Sequence, residues 1–417
     1  MKRRWGLKYL AALAVVAVAG MASADPMDGL VAAAKEEGQL TVIALPRDWC
    51  GYGAIIDGFK AKYGLRINEL QPDAGSANQL DAIRASQGTQ RPDVIDVGLS
   101  YGPAAKREGL LQPYKVSTWA TIPDSAKDAE GFWYGDYYGV LAFEINADIV
   151  KDLPVDWPDL LASKYQGSVA LAGHPESSNQ ATMGILAAGL SLAEGSVDQA
   201  ADQGLQFLAK LNGTGNFVPV VGNSDSLAQG RTPILIRWDY LAHSDRERFD
   251  GNPRIEVVVP KTGMVAGVYV QAISARASHP NAARLWMEYL YSDEGQLAWL
   301  KGYCRPIRLK HLVGSGKIPD DLREKLPFSE NEGYPDDPLF PTVEEQERAR
   351  EVIVNGWDAT VGVTVECVPA DDPATVPMSL LDDAARQASK FPQRSESGGN
   401  SEMAAAPAVE SACRPNI

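Results

Sequence analysis

Arg47, Asp48, Trp49, Cys50 and Tyr52 crowd into one loop of the stretch LTVIALPRDWCGYG, residues 40–53, directly after an apolar run. A carboxylate beside two aromatic rings suits an amine, because the rings stack on or enclose a cation while the carboxylate pairs with it. Asp48 equally fits a helix N-cap or a partner for Arg47. Loops of this kind recur. QPDAGSANQ offers Asp73, Ser76 and Asn78 before a helix, with capping as the competing role. VGLSYG offers Ser100 and Tyr101. AGHPESSNQATMG offers Ser177, Ser178 and Asn179 with the free N–H groups of a helix start, an anion-friendly arrangement that any helix start partly shares. IRWDY delivers Arg237, Trp238, Asp239 and Tyr240 in sequence, with Arg237 also open to a structural ion pair.

In open α/β sheets, ligands sit beyond the carboxyl ends of the strands, so each of these loops must follow a strand. Residues 40–45 form a continuous apolar run, as in a parallel strand buried on both faces. Residues 54–63 place Ile55, Ile56, Phe59 and Tyr63 on one helical face, closed by Gly64. A strand over 65–70, a helix over 79–86 and a strand over 93–97 complete a β-α-β-α-β unit. Around 132–145 the rhythm changes to long extended segments rich in aromatics. A second α/β set follows, with helices predicted at 157–162, 181–192, 199–211 and 240–249 and strands at 167–171, 233–237 and 255–260. Residues 265–275 are long and apolar enough to carry the chain back to the first set. Helices opened by Pro280 and Ser292 come next, then a loop-rich stretch from 306 to 340 and an amphipathic helix over 343–354.

The chain begins like an exported protein. Lys2, Arg3, Arg4 and Lys8 precede a short apolar run, and Ala22-Ser23-Ala24 fits a cleavage site, so residues 1–24 read as a signal peptide and the mature chain as periplasmic. Losing those four basic residues and no acidic ones takes the formal charge from −15 to −19. Such acidity repels nucleic acid and anionic lipid, and neither is expected as a partner; it also serves solubility. Cys50, Cys304, Cys367 and Cys413 form no CxxC or Cys/His cluster, and the four histidines are far apart in sequence. No metal site and no cofactor is expected. A periplasmic enzyme is the alternative of another class, but GxSxG and HExxH motifs are lacking. Residues 366–417 are rich in Asp, Pro, Ser, Ala and Gly without apolar periodicity, and read as a disordered tail.

Three phrases carry a resemblance: VDWPDLLASKYQGSVALAG (155–173), AQGRTPILIRWDYLA (228–242) and the long run VVVPKTGMVAGVYVQAISARASHPNAARLWMEYLYSDEGQLAWLKGYCRPIR (257–308). Over residues 25–365 the chain resembles the extracellular solute-binding proteins of ABC importers, in the branch of spermidine/putrescine and ferric-ion binders. The resemblance implies a type II-like periplasmic-binding-protein fold, with two α/β lobes joined by crossover strands around a central cleft. One lobe would comprise residues 25–140 with 265–310, the other 141–264 with 311–365. It further implies a monomer that closes on one small solute and docks on a membrane permease.

Within that frame the strand-end residues face the cleft. The crossover strands add Tyr138 and Tyr269, for which hinge packing is the competing role, and Arg305 lies in a loop returning to the cleft. The family topology also brings the loops of Cys50 and Cys304 together, which implies a disulfide between them. Asp48, Asp73, Asp239 and the tryptophans favour a polyamine or another amine-bearing solute. A phosphonate-like anion or zwitterion on Arg237, Arg305 and the Ser177–Asn179 turn is an alternative, as is ferric ion.

Overall fold

The computed structural model describes residues 26–85, 91–193, 197–326 and 338–367; the expected signal peptide and residues 368–417 of the expected tail lie outside them. The first half runs α1 (Pro26–Glu37), β1 (Gln39–Ile43), α2 (Tyr52–Tyr63), β2 (Arg66–Leu70), α3 (Ser76–Arg84), β3 (Val94–Gly98), α4 (Tyr101–Arg107), β4 (Leu111–Gln112) and the long β5 (Tyr134–Asn146). The second runs β6 (Val169–Leu171), α5 (Asn179–Leu190), α6 (Val197–Gly213), β7 (Phe217–Val221), α7 (Ser224–Ala228), β8 (Ile234–Trp238), α8 (Asp239–Phe249) and β9 (Ile255–Val258). Then come β10 (Ala266–Ser274), α9 (Pro280–Leu290), α10 (Asp293–Lys301), β11 (Arg305–Pro306), α11 (Leu309–Gly314), α12 (Asp320–Arg323), α13 (Val343–Thr360) and β12 (Glu366–Cys367).

Local sequence accounts for many of these boundaries. Tyr52, Ile55, Ile56 and Phe59 form the buried face of α2, which ends on Gly64 at φ 73°, a left-handed conformation that glycine adopts without strain. The start of α9 is capped from a distance: the Glu37 carboxylate, at the end of α1, accepts from the backbone N–H groups of Asn281 (3.1 Å) and Ala282 (2.8 Å). Ser292 caps α10 through Gly295 N (3.1 Å). Residues 157–162, expected as a helix, make only a 3₁₀ turn over Trp157–Leu161.

Strand β5 shares its length between two sides. Its first part pairs antiparallel with β10, and its second with β8 and β9. Beyond β10 lies β3; beyond β8 lie β6, β7 and β12 in that order. The parallel pair β1–β2 stands beside β3, tied to it by Asp93 N donating to Thr41 O (2.8 Å) and Thr41 N donating to the Asp93 carboxylate (2.7 Å). The result is two α/β lobes with β5 and β10 crossing between them. Two boundaries differ from the sequence reading. Leu309, Leu312, Ile318 and Leu322 pack on Leu300 of α10, so this stretch sits against the first lobe rather than the second. Glu366 and Cys367 pair with β7, so ordered chain extends into the expected tail. Cys50 and Cys304 form a disulfide with Cα atoms 5.4 Å apart.

Candidate functional site

The carboxyl ends of β1, β3 and β8 converge where β5 and β10 cross, and aromatic rings from both lobes meet there. The edge of Trp49 contacts Tyr240 (5.6 Å between ring centres) and Tyr269 (5.5 Å). Trp238 stacks on Tyr240 (6.4 Å) and donates its Nε1–H to Tyr269 Oη (3.2 Å). Tyr137 stacks on Tyr269 (5.4 Å) and accepts from Trp49 Nε1 (2.7 Å). Two glycines admit this floor: a Cβ at Gly267 would collide with the Trp238 ring, and one at Gly139 with Tyr240. Trp49, Trp238 and Tyr269 were among the sequence candidates, and Tyr240 came with the same strand end as Trp238; Tyr137 was not carried as a candidate. The signal for these two was placement, Tyr137 on a crossover strand and Tyr240 directly after Asp239.

The arginines of the site are already engaged. Arg305 forms a bidentate pair with Asp239 (2.6 and 3.1 Å), and both side chains are buried. Asp239 Oδ1 also accepts from the N–H groups of Val140 (3.0 Å) and Tyr240 (2.9 Å). Arg237 points into the second lobe, where its Nη1 meets Glu144 (2.8 Å) and Asp245 (2.9 Å); the expected ligand contact is corrected to a structural ion pair. Burial outweighs Arg237 at Glu144 and pushes that carboxyl up to about 7.

Asp48 is different. It is exposed, has no ion pair among the described residues, and its charge reaches both Arg237 and Asp73. Crowding by the protein, and then the Asp48 carboxylate, raise the Asp73 carboxyl above its ordinary value. Asp48 also lines a cavity of about 330 Å³ between the two lobes. Its floor is Gly51, Ala54, Ala298 and Gly302 beside the disulfide, Arg47 and Lys301 stand at its wall, and α8 contributes Ser244 and Glu247 from across the cleft. That volume lies at the low end of the range for small-molecule sites.

Several candidates are placed elsewhere. Tyr52 turns inward: its hydroxyl donates to Asp96 Oδ2 (2.7 Å) and accepts from Gln271 Nε2 (2.8 Å), which corrects it from cleft wall to lobe core. Ser76 is buried and accepts from Gly98 N (3.1 Å). Ser178 caps α5 through Ala181 N (3.4 Å), and Asn179 is buried against Gly98. Ser177 O accepts from Ala77 N (3.3 Å), so the lobes touch through their backbones. Tyr101 is buried beneath Arg350, whose guanidinium carbon lies 4.5 Å from the ring centre. Tyr138 is half-buried between Phe340 (5.3 Å) and Arg305 (5.8 Å).

Beneath Trp49 the hydrogen bonds continue inward. Tyr137 Oη donates to Asp96 Oδ2 (2.7 Å), the acceptor that Tyr52 also uses. Burial holds the Asp96 carboxyl up to about 7, although both phenols favour its ionised form. Asp136, joined to Gln271 (3.0 Å), is raised as well, by burial first and then by Asp96. A carboxyl raised on folding stabilises fully below its unfolded value near 4, and that contribution is lost as pH rises through the folded value near 7. Asp96→Asn is therefore expected to reduce the loss of stability between pH 5 and 8 by about 2 kcal/mol. Urea unfolding across that range checks it; an unchanged slope would place the titration elsewhere.

Comparison with known proteins gives this arrangement a family. The model for bacterial extracellular solute-binding proteins matches residues 90–321, more than half of the chain. A probable ABC transporter periplasmic-binding protein, y4fP of Sinorhizobium fredii (strain NBRC 101917 / NGR234), is 26% identical over 235 residues, 54% of this chain and 63% of that protein. The match thus spans under two thirds of that relative. Three solved structures share the two-lobe fold. The periplasmic binding protein AfuA from Actinobacillus pleuropneumoniae, with exogenous fructose-6-phosphate bound, gives a TM-score of 0.61 at 21% identity, covering 78% of this chain and 99% of that one. Iron-bound HitA from Pseudomonas aeruginosa gives 0.58 at 19% identity, with the same coverage of 78% and 99%. The binding protein AgtB from A. tumefaciens R10, in complex with agropinic acid, gives 0.61 at 13% identity, again covering 78% and 99%. With the family match covering the crossing strands and the second lobe, the chain belongs to the bacterial extracellular solute-binding proteins.

Proposed function

We propose that the protein is the periplasmic capture component of an ABC importer, which closes its lobes on an amine-bearing solute such as a polyamine and passes it to a membrane permease. Export with cleavage near Ala24, action as a monomer, and binding rather than catalysis belong to the same reading. The observation that carries the ligand class is a charge imbalance. Arg237 and Arg305 face buried carboxylates, whereas Asp48 and Asp73 repel each other at the cleft and neither forms an ion pair among the described residues. A bound ammonium group would relieve that repulsion, and Trp49 offers a ring for its methylene chain. Closure follows from binding because only the closed form lets both lobes touch the solute.

Calorimetry with putrescine and spermidine tests this. Asp48→Asn and Asp73→Asn are each expected to weaken binding about tenfold, the scale of one charge-assisted contact. Wild-type protein that binds neither amine, or variants that bind as tightly as wild type, would sink the reading. A ferric reading draws on the ring cluster of Tyr137, Tyr240 and Tyr269. Burial, however, raises all three phenols far above their ordinary value, against the phenolate a ferric ion requires. Ferric citrate in the same experiment, read as a visible charge-transfer band, distinguishes it.

A further inference from the structure

The lobes also meet at a second contact, which adjoins the aromatic floor through Tyr101 and Asn179, both beside Tyr269. Helix α13 packs along α6 and α5 of the second lobe, yet it presents two side chains to α4 of the first. Glu347 accepts from Arg107 (Nη2 to Oε1, 2.7 Å). One turn further along the same face, Arg350 lies over the Tyr101 ring at 4.5 Å. Ser100 of the first lobe and Asn179, Gln346 and Arg350 of the second are neighbours at this contact. All of α13 that touches α4 is separated in sequence from the cleft loops, and none of these contacts uses Asp48, Asp73 or Trp49.

We propose that α13 is an interlobe clasp, in which Glu347 and Arg350 hold α4 and thereby set the fraction of protein that is closed. The two are positioning residues. They act on solute affinity through the conformational equilibrium, since the apparent dissociation constant is the intrinsic one divided by the closed fraction. The ion pair is exposed on the arginine side and contributes little by itself. The partly desolvated cation over Tyr101 carries more. The effect on affinity rests on the solute-capture reading above, but the effect on closure does not.

The test is therefore made first without solute. An interlobe distance is measured by fluorescence transfer between one label on each lobe, in full-length mature protein. Arg350→Ala and Arg107→Glu are each expected to shift the distribution toward longer distances. The Arg107→Glu/Glu347→Arg pair is expected to restore it, which a merely structural loss would not do. Spermidine titration should then show affinity about three- to tenfold weaker in the single variants and recovery in the pair. An unchanged solute-free distribution in both single variants, or a charge swap that restores nothing, overturns the clasp. So does an Arg350→Ala variant that loses spermidine binding while its interlobe distance stays that of wild type, which would make Arg350 a solute contact. Failure of spermidine to bind wild-type protein removes the polyamine reading alone, and the distance measurement still decides the clasp.

Discussion

Asp239→Ala is expected to cost about 3–5 kcal/mol of stability, the range for breaking a buried ion pair from one side. The change removes the carboxylate that both arms of the Arg305 guanidinium hold, and that side chain is only 6% exposed. It also removes the acceptor of Val140 N–H and Tyr240 N–H, at the junction of β5 and α8. The sequence placed Asp239 as a candidate ligand contact. In the structure that carboxylate joins the returning loop of the first lobe to the strand end of the second, and its loss acts on the fold first. Urea unfolding of the variant measures the effect. The double change Asp239→Leu/Arg305→Met, which removes both charges together, should recover much of the stability because neither charge then remains in the buried site. A single variant within 1 kcal/mol of wild type would mean that water already reaches Arg305.

The same contrast explains what could be read from the chain. Period and punctuation were legible: the buried face of α2, its Gly64 stop, Pro280 and Ser292 at helix starts, and the long apolar run of β10 each rest on local chemistry. Helix α1 carries Met27, Leu30, Val31 and Ala34 at helical spacing and packs against α9, through Glu37 among other contacts; the sequence reading does not assign it. Strand β7, FVPVV, contains Pro219, which discourages a strand reading although the strand accommodates it. The site was legible as a set of strand ends and illegible as a set of partners. Whether Tyr52 faces the cleft or Asp96 depends on which side of α2 the sheet lies. Whether Arg237 is free depends on Glu144, distant in sequence on the neighbouring strand. No local pattern carries those two facts, and none pointed to α13 meeting α4.

The second large effect is expected from the Cys50–Cys304 crosslink. It closes a loop of 254 residues, for which the chain-entropy model gives a ceiling of about 5 kcal/mol, while measured losses typically run about 2–4. A Cys50→Ser/Cys304→Ser variant isolates this bond, whereas adding a reductant would also open the disulfide of Cys367. The bond acts locally as well. Cys50 has φ 52° and Tyr303 φ 67°, both in the left-handed region that costs a non-glycine residue about 1 kcal/mol or more. Between them Gly302 lies so close to the backbone of Cys50 that no side chain would fit. Without the bond these loops are expected to relax, carrying Asp48 away from the opposite wall of the cleft and Trp49 away from Tyr240. The double variant should therefore lose stability in urea and also bind spermidine more weakly than a variant destabilised equally at a remote core position. Lost stability with unchanged affinity would assign the bond to the fold alone. Retention of both would show that the packing of Gly51 on Gly302 and the anchor of Tyr52 on Asp96 already hold the loop that presents Asp48.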